Sequence, residues 1–467
     1  MTTSAATADK GLRGVRDIPG PDGGWLLGNA LEFRRDLLGL LTRGMHEYGD
    51  VVRYGAGPRG TPLRVQLVVL HNPRDVQQVL TQTEKTFSKD TKVFQTMAEM
   101  LGKGLLTSVG DDWKRQRRIV QPLFTPRRVE GYLGLMAEES AALTARAPAD
   151  GSSVDLHLLM MRYALRVVGR ALFGDDIEDM VPVLDELVPE ASSITRRRMF
   201  TAFKTPLSWR LPTTRRARFL KARQYGLVDE ILARSPAPGQ PSYDADRDDL
   251  VTRLRQATDP ETGEHISEDE VRDQALIFLM AGHETTAGAL TFTLHLLGRH
   301  PEIQDAVAAE ACDVLGSGDT VTPEQLARLV LTTAALQEGM RLFPSAHTTN
   351  RLTVAPIEAG GYRLPPGQPI LVSPWTTHRH PEFWPDPLRY DPQRFLGESN
   401  RPRYAYFPFG GGPRACVGEH FAMLEAVTLL AMLLRSRRVT ALRADLPVAP
   451  NVTLRPVGAV PASLETR

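Results

Sequence analysis

Residues 407–421 read Phe-Pro-Phe-Gly-Gly-Gly-Pro-Arg-Ala-Cys-Val-Gly-Glu-His-Phe, and no other part of the sequence constrains the structure as strongly. Three glycines and a proline make a rigid loop whose backbone can approach a flat ligand closely. Cys416 follows where this loop enters a helix predicted over about 417–434, and a helix N-terminus favours an anion. We therefore expect a depressed thiol pKa. The thiolate would be a metal ligand or a nucleophile with a histidine base nearby; the remaining alternative is a buried core cysteine.

A helix long enough to cross a whole domain is predicted further upstream. Ser267 and Glu270 form a capping box at its start. Apolar and small residues then continue to Gly298, and His300-Pro301 ends the run. About thirty residues at 1.5 Å each give a rod of roughly 45 Å, which few globular folds need.

The middle of this helix carries a polar hexapeptide, Ala281-Gly-His-Glu-Thr-Thr286. Such a segment is expensive to bury unless it has a function. Gly282 lets a ligand approach the helix, and Thr285 can hydrogen-bond to something other than its own backbone. The alternative is an exposed turn of the helix. We expect the neighbouring His283 to be structural.

Two shorter motifs combine residues at helical spacing. Glu338-Gly-Met-Arg341 places opposite charges on one helix face, a pair worth a few tenths of a kcal/mol and common in proteins. Trp113-Lys-Arg-Gln-Arg117 brings an indole and a guanidinium one turn apart. Both groups can donate hydrogen bonds. The motif also fits a solvated helix face.

The composition fits one globular domain. Hydrophobic residues make up 42% and charged residues 24% of the chain. No linker interrupts residues 17–467, which we therefore predict to be a single domain. Strand-like runs at 51–54 and 65–70 precede mostly helical sequence. This pattern predicts a mainly α protein with a smaller β region (α+β).

Charge, cysteines and the N-terminus exclude several other classes. The net charge of +1 gives no reason to expect nucleic acid or an anionic membrane as a partner. Two cysteines are too few for the disulfide framework of a secreted protein. Residues 1–16, predicted to be disordered, contain neither the apolar run of a signal peptide nor a membrane span. We therefore expect a cytoplasmic protein.

The cysteine loop resembles the haem-ligand segment of the cytochrome P450 family, F-x-x-G-x-R-x-C-x-G. The matching residues are Phe409, Gly412, Arg414, Cys416 and Gly418. The resemblance extends from about residue 19 to 434. It implies the P450 fold, with the long central helix over the haem, and haem b (iron protoporphyrin IX) as the cofactor. The motif spelling is nearer to fatty-acid hydroxylases and eukaryotic-like members than to the camphor-hydroxylase type.

The same resemblance implies functions for individual residues. Cys416 would ligate the iron, Thr285 would position the hydrogen bonds that bring protons to dioxygen, and Glu284 would link them to solvent. Glu338 and Arg341 resemble the family's E-x-x-R motif, with Arg394 as the later arginine that locks to it, although Gln393 replaces the usual glutamate before it. The remaining residues expected around the haem are Trp113, Arg117, Arg351, Arg414, Phe409, Ala281 and Gly282.

The implied reaction converts R–H, O₂, two electrons and two protons to R–OH and water, or epoxidises the substrate. In the family, the substrate pocket over the haem is lined by defined segments. Apolar residues at those segments suit a terpene, fatty acid, steroid or polyketide of secondary metabolism. The predicted pocket residues are Phe94, Met97, Leu101, Phe203, Ala281, Ala346, His347 and Thr348. Other possibilities are a haem-thiolate peroxygenase or isomerase, for which no Glu-Thr pair is needed, and a non-catalytic haem sensor or electron carrier.

Electrons are expected from separate proteins. The 467 residues contain no G-x-G-x-x-G in a βαβ context, so no nicotinamide or flavin domain is predicted. We expect a ferredoxin and a ferredoxin reductase as donors. The basic residues Lys114, Arg115 and Arg118 would meet an acidic partner on the cysteine side.

Overall fold

Helices dominate the computed structural model, which describes residues 13–82, 84–174, 178–199, 205–234 and 248–467. This agrees with the predicted mainly α fold with a smaller β region. The helices are α1 (Ala30–Arg35), α2 (Leu37–Tyr48), α3 (Pro73–Thr81), α4 (Lys92–Leu101), α5 (Gly110–Val120), α6 (Pro126–Glu130), α7 (Leu133–Arg146), α8 (Leu156–Phe173), α9 (Val181–Met199), α10 (Pro212–Ala233), α11 (Leu250–Gln256), α12 (Glu268–Arg299), α13 (Pro301–Leu315), α14 (Pro323–Arg328), α15 (Val330–Leu342), α16 (Pro374–Thr377) and α17 (Glu419–Ser436).

The strands are short and pair into small sheets. They are β1 (Val51–Ala56), β2 (Val65–Leu70), β3 (Phe87–Ser88), β4 (Asp150–Asp155), β5 (Thr349–Thr353), β6 (Ile357–Ala359), β7 (Tyr362–Leu364), β8 (Pro369–Val372), β9 (Arg437–Ala441), β10 (Val448–Pro450), β11 (Leu454–Pro456) and β12 (Pro461–Thr466).

The chain divides into two compact units, each assembled from separate stretches of sequence. Unit 1 comprises Met1–Thr91, Thr348–Pro387 and Arg401–Arg414. Unit 2 comprises Lys92–His347, Leu388–Asn400 and Ala415–Arg467. The single domain expected over 17–467 stays a prediction.

Unit 1 is built on a five-stranded sheet in the order β1-β2-β8-β5-β3, in which only β2 and β8 run parallel. Side chains alternate between its two faces, as strand geometry requires. Val68 and Leu70 belong to one buried cluster and Val69 to another. The sheet is therefore covered on both faces.

Unit 2 is organised around α12. The predicted capping box starts this helix: Ser267 Oγ accepts a hydrogen bond from the Glu270 N–H, and Glu270 Oε2 accepts one from the Ser267 N–H. The helix ends at Arg299 before the predicted His300-Pro301 stop. Helices α8, α10, α15 and α17 pack against it. The β4-β12-β9 sheet and the β10–β11 hairpin complete the unit.

The N-terminal prediction needs correction at its C-terminal end. Residues 1–12 lie outside the described part of the chain. Arg13, however, forms a β-bridge with Tyr362, and Val15 packs against a buried cluster of unit 1. The segment predicted to be disordered therefore does not extend to residue 16, because a tertiary contact fixes its last residues. In the described ranges, no helix has both the length and the apolarity that a membrane crossing requires.

Candidate functional site

Cys416 lies in a turn just before α17 in unit 2. The helix begins at Glu419 with Gly418 as its N-cap residue, two positions later than predicted. The Cys416 side chain is exposed. The Gly418 N–H donates a hydrogen bond to its sulfur. The thiol is thus presented at a helix N-terminus, as the sequence indicated.

The expected depression of the Cys416 pKa is wrong for the free thiol. Protein atoms crowd its buried side, and the resulting desolvation raises the thiol pKa above its ordinary value. The Gly418 N–H and the charge of Arg117 act in the opposite direction but do not prevail, while nearby Glu419 adds to the rise. A metal ion would reverse this balance, because a coordinating thiol is deprotonated outright.

Arg117 on α5 holds the backbone immediately before Cys416. Its Nη1 donates to the Ala415 carbonyl oxygen at 2.8 Å, and its Nε donates to Gln121 Oε1 at 2.9 Å. Burial lowers the pKa of the Arg117 guanidinium, and Cys416 as a thiolate opposes that change. Trp113, one turn earlier on α5, is buried in the main apolar cluster of unit 2. The W-x-x-x-R motif therefore contacts the cysteine loop from α5.

One turn in the middle of α12 is accessible, although most residues on either side of it are buried. Ala281 is exposed, and Gly282 and Thr285 are partly exposed. Their neighbours His283 and Glu284 are buried. The Thr285 hydroxyl donates to the Ala281 carbonyl oxygen at 2.6 Å. Small side chains on an accessible turn fit the close approach of a flat ligand.

The environment of the Glu284 carboxylate differs from the one that the family resemblance implied. Glu284 is buried, and its Oε1 accepts hydrogen bonds from Arg455 Nε and Thr453 Oγ1 in the β10–β11 hairpin. The carboxylate is thus paired with an internal arginine, and the predicted link to solvent stays a prediction. Neither Arg455 nor Thr453 belongs to a recognisable sequence motif, so sequence reasoning missed both.

A second segment of unit 2 joins this turn. Ser345 Oγ donates to the Thr285 carbonyl oxygen at 2.9 Å, and the Leu454 N–H donates to the Ser345 carbonyl oxygen at 2.8 Å. Ala346 is exposed, whereas His347 is buried, and burial lowers the His347 pKa to about 4. The neutral His347 imidazole donates from Nε2 to the Asn451 carbonyl oxygen at 3.0 Å.

The other predicted pocket residues have varied environments. Phe94 and Met97 on α4 are buried, and Leu101 packs against two apolar clusters. Helix α4 contacts α9, α10 and α12 within unit 2. Thr348 belongs to unit 1, and Phe203 lies outside the described residues.

Unit 1 contains a buried group of cations. Arg351 is buried, and its Nη1 donates to Thr349 Oγ1 at 3.1 Å and to the Asn350 carbonyl oxygen at 2.8 Å. Arg414 forms an ion pair with Glu84. Burial, with Arg414 nearby, lowers the Arg351 pKa to about 10.

Lys89 completes this group and was missed by sequence reasoning. It is buried, and burial together with Arg351 and Arg414 lowers its pKa well below the ordinary value. Lys89, Arg351 and Arg414 therefore lie near one another and near the carboxylate of Glu84, and an anionic ligand beside them would favour their charged forms. A lone lysine after a two-residue strand carries no sequence signal of this kind.

The glycines of the cysteine loop matter for packing within the protein, and not only for the approach of a ligand. Gly412 has φ 65°, and a Cβ there would lie 2.1 Å from the Leu80 carbonyl oxygen. This glycine is therefore required for packing on the end of α3 within unit 1. Phe409 is partly buried.

The E-x-x-R pair is fully buried in unit 2. Arg341 donates to Glu338 from Nε at 2.6 Å and from Nη2 at 2.8 Å, and also to the Arg389 carbonyl oxygen at 3.2 Å. Arg394 Nε lies 3.4 Å from Glu338 Oε1, and the Asp391 N–H donates to the same oxygen at 3.0 Å. The three predicted residues thus form one network.

The basic residues predicted to dock a partner are already paired. Lys114 bonds Asp111, Arg115 bonds Glu270, and Arg118 bonds Asp259 with both Nε and Nη2. These carboxylates balance the positive charges that the sequence suggested were available to a partner.

The sequence matches the family model described as Cytochrome P450 over residues 18–458. It is 36% identical over 427 residues to cyclooctatin synthase of Streptomyces melanosporofaciens, covering 90% of this chain and 89% of that protein. Cyclooctat-9-en-7-ol 5-monooxygenase of the same organism is 34% identical over 87% of this chain and 86% of its own length. Pentalenene oxygenase of Streptomyces avermitilis is 32% identical over 92% of each chain.

Proposed function

Because the chain belongs to the cytochrome P450 family, whose members bind haem b through a cysteine thiolate, we propose that Cys416 supplies this thiolate. The protein is a P450 monooxygenase. The observation that carries the assignment is the exposed Cys416 sulfur at the start of α17, with Arg117 bound to the carbonyl of the preceding residue. Bound haem supplies the activation of dioxygen, to which the thiolate contributes electron density.

The protein's own cations fit the two carboxylate groups of haem b. In unit 1, burial and the charges of Arg351 and Arg414 lower the pKa of Lys89, and burial and Arg414 lower the pKa of Arg351. Buried cations of this kind are stabilised by a bound carboxylate. In unit 2, we propose that Arg117 supports the thiolate ligand by fixing the turn that carries Cys416, with Trp113 one helical turn before it.

The open turn of α12 is proposed to face the reacting groups. Ala281 would leave room for substrate, and the Thr285 hydroxyl would hold protons in position beside it. The ion pair with Arg455 suits Glu284 for fastening the β10–β11 hairpin to this turn. Glu284 would then be a positioning residue for Thr285.

We propose a polycyclic terpene as substrate. The relatives are named for the oxidation of cyclooctat-9-en-7-ol and pentalenene. Apolar side chains at Phe94, Met97 and Leu101 suit a hydrocarbon skeleton. A ferredoxin with its reductase is the proposed electron donor, and secondary metabolism the proposed setting.

Spectral titration tests this function. Polycyclic terpenes and terpene alcohols should shift the Soret band of the purified protein at low micromolar concentration, whereas long-chain fatty acids should bind more weakly. The reduced carbonyl complex should absorb near the wavelength typical of thiolate ligation, and Cys416→Ala should lose this band. A Soret band that no terpene shifts would contradict the substrate class. A missing thiolate band in the wild-type protein would contradict Cys416 as the ligand.

A further inference from the structure

A buried histidine that the proposed function does not use lies beside the start of the cysteine loop. His378 is fully buried and directly follows the one-turn helix α16 in unit 1. Its Nε2 accepts a hydrogen bond from the Phe407 N–H at 2.9 Å. An accepting ring nitrogen carries no proton, so the proton of this imidazole is on Nδ1. His378 is thus a neutral acceptor toward the first residue of the loop.

Both backbone polar groups of Phe407 are occupied, one by His378 and the other by the loop itself. Phe407 is 3% exposed, and a buried backbone N–H without an acceptor is costly. The Phe407 carbonyl oxygen accepts from the Gly410 N–H at 3.0 Å, which closes the first turn of the loop. Because the loop turns back on Phe407, a displacement of this residue would move the whole turn.

The segment that carries His378 is itself held in place. Thr377, the last residue of α16, donates from Oγ1 to the His71 carbonyl oxygen at 3.0 Å. Trp384, six residues after His378 and fully buried, donates from Nε1 to the Ala405 carbonyl oxygen at 3.2 Å. Two side chains of one segment therefore bind residues 405 and 407 of the run that leads into the cysteine loop.

The imidazole ring of His378 also packs against this run. Its centroid lies 5.1 Å from that of the Phe407 ring and 5.1 Å from that of the Tyr406 ring. A phenylalanine in place of His378 can keep these ring contacts but has no acceptor, whereas a glutamine offers Oε1 as an acceptor without a ring. The two contributions of His378 can therefore be separated by substitution.

Further along, the loop is anchored to the same unit at Gly412, which packs against the end of α3, and at Arg414, which pairs with Glu84. Cys416 follows two residues later. The contact with His378 is thus the first of several that determine the path of the backbone toward the cysteine.

We propose that His378 is a positioning residue for the haem thiolate. By accepting the Phe407 N–H, it holds the cysteine loop in the conformation that presents the Cys416 sulfur to iron. This inference rests on the proposed function of Cys416 as the ligand. His378 acts through the loop and takes part in no step of the reaction.

The test compares His378→Phe and His378→Gln with wild type, each as the full-length haem-loaded protein. In the reduced carbonyl complex, the thiolate band should convert to that of a neutral thiol about tenfold faster in His378→Phe, because the buried N–H loses its acceptor. The haem reduction potential should become more positive, since a less firmly held thiolate donates less electron density. In His378→Gln the conversion rate should stay within about twofold of wild type, because the acceptor is restored.

A control variant separates this effect from the general loss of a buried histidine. His295 is buried on α12, and the charged groups nearest to it are Arg299 and Arg443. His295→Phe should keep the wild-type thiolate band and potential. A wild-type band and potential in His378→Phe would overturn the proposal, and so would a haem-loaded His378→Gln that loses the band as fast as His378→Phe.

The wild-type protein provides a measurement that does not depend on whether the variants fold. In the ferrous carbonyl complex labelled with ¹⁵N at histidine and phenylalanine, NMR should show a coupling across the hydrogen bond between the Phe407 nitrogen and His378 Nε2. A proton on Nε2 would overturn the proposal. A wild-type protein without a thiolate band would instead contradict Cys416 as the ligand, and the NMR coupling would still report on the bond between His378 and Phe407.

Discussion

The contribution of a single residue to stability depends on contacts that the sequence does not specify. Glu338 and Arg341 looked like one of many i, i+3 pairs, worth a few tenths of a kcal/mol on a surface. In the structure both side chains are fully buried, and Glu338 also pairs with Arg394. Removing the partner of a buried charge lowers the free energy of unfolding far more than breaking an ion pair on the surface does.

The first prediction concerns this buried network. Arg341→Lys should lower the free energy of unfolding by about 3–5 kcal/mol, because one ammonium group cannot reproduce the two bonds to Glu338 and the bond to the Arg389 carbonyl. Denaturant titration measures the change. Arg328→Lys, in an exposed ion pair with Asp313, is the matched control and should have little effect. Equal effects of the two substitutions would contradict the argument.

Helices and strands were predictable where the sequence signals for them are local. The capping box and the His300-Pro301 stop gave both ends of α12 within a residue or two. The start of α17 was placed too early, because the turn that presents Cys416 precedes the Gly418 cap. Strand β4, Asp-Gly-Ser-Ser-Val-Asp, was not predicted, since its polar residues form a strand only through pairing with β12.

The cap of α12 yields a prediction at this scale. Ser267→Ala should lower the free energy of unfolding by about 1 kcal/mol, because the Glu270 N–H loses its acceptor. Ser267→Asp, another good N-cap residue, should retain most of the stability. Thermal unfolding of the three proteins measures the difference, and an unchanged melting temperature in Ser267→Ala would show that the cap contributes nothing to stability.

For the molecule as a whole, charge is distributed evenly enough that partner recognition must be local. The net charge is +1, and the arginines first expected to dock a partner are balanced internally. Arg127 and Arg128 on α6 are exposed and form no ion pair among the described residues. Helix α6 packs against α17, which follows Cys416. These two arginines are therefore better candidates for contact with an acidic electron donor.

Charge reversal tests this location. The double variant Arg127→Glu/Arg128→Glu should be reduced by an acidic ferredoxin about tenfold more slowly at low salt, and the difference should shrink as salt screens the charges. Stopped-flow reduction under carbon monoxide gives the rate. The matched control is Arg215→Glu/Arg218→Glu on α10, where the exposed arginines should be unimportant. Equal rates in both double variants would rule out α6 as the contact.

The discontinuity of the two units affects how the chain can be made. The last stretch of unit 1, Arg401–Arg414, leaves the ribosome only after residues 92–347 have been synthesised. At a translation rate of roughly 5–20 residues per second, tens of seconds pass between synthesis of the first ninety residues and synthesis of the strands β5 and β8 that complete their sheet. The open edge of β2 is exposed to aggregation throughout that interval. We therefore expect the yield of native enzyme to depend on growth temperature and on chaperone supply during expression.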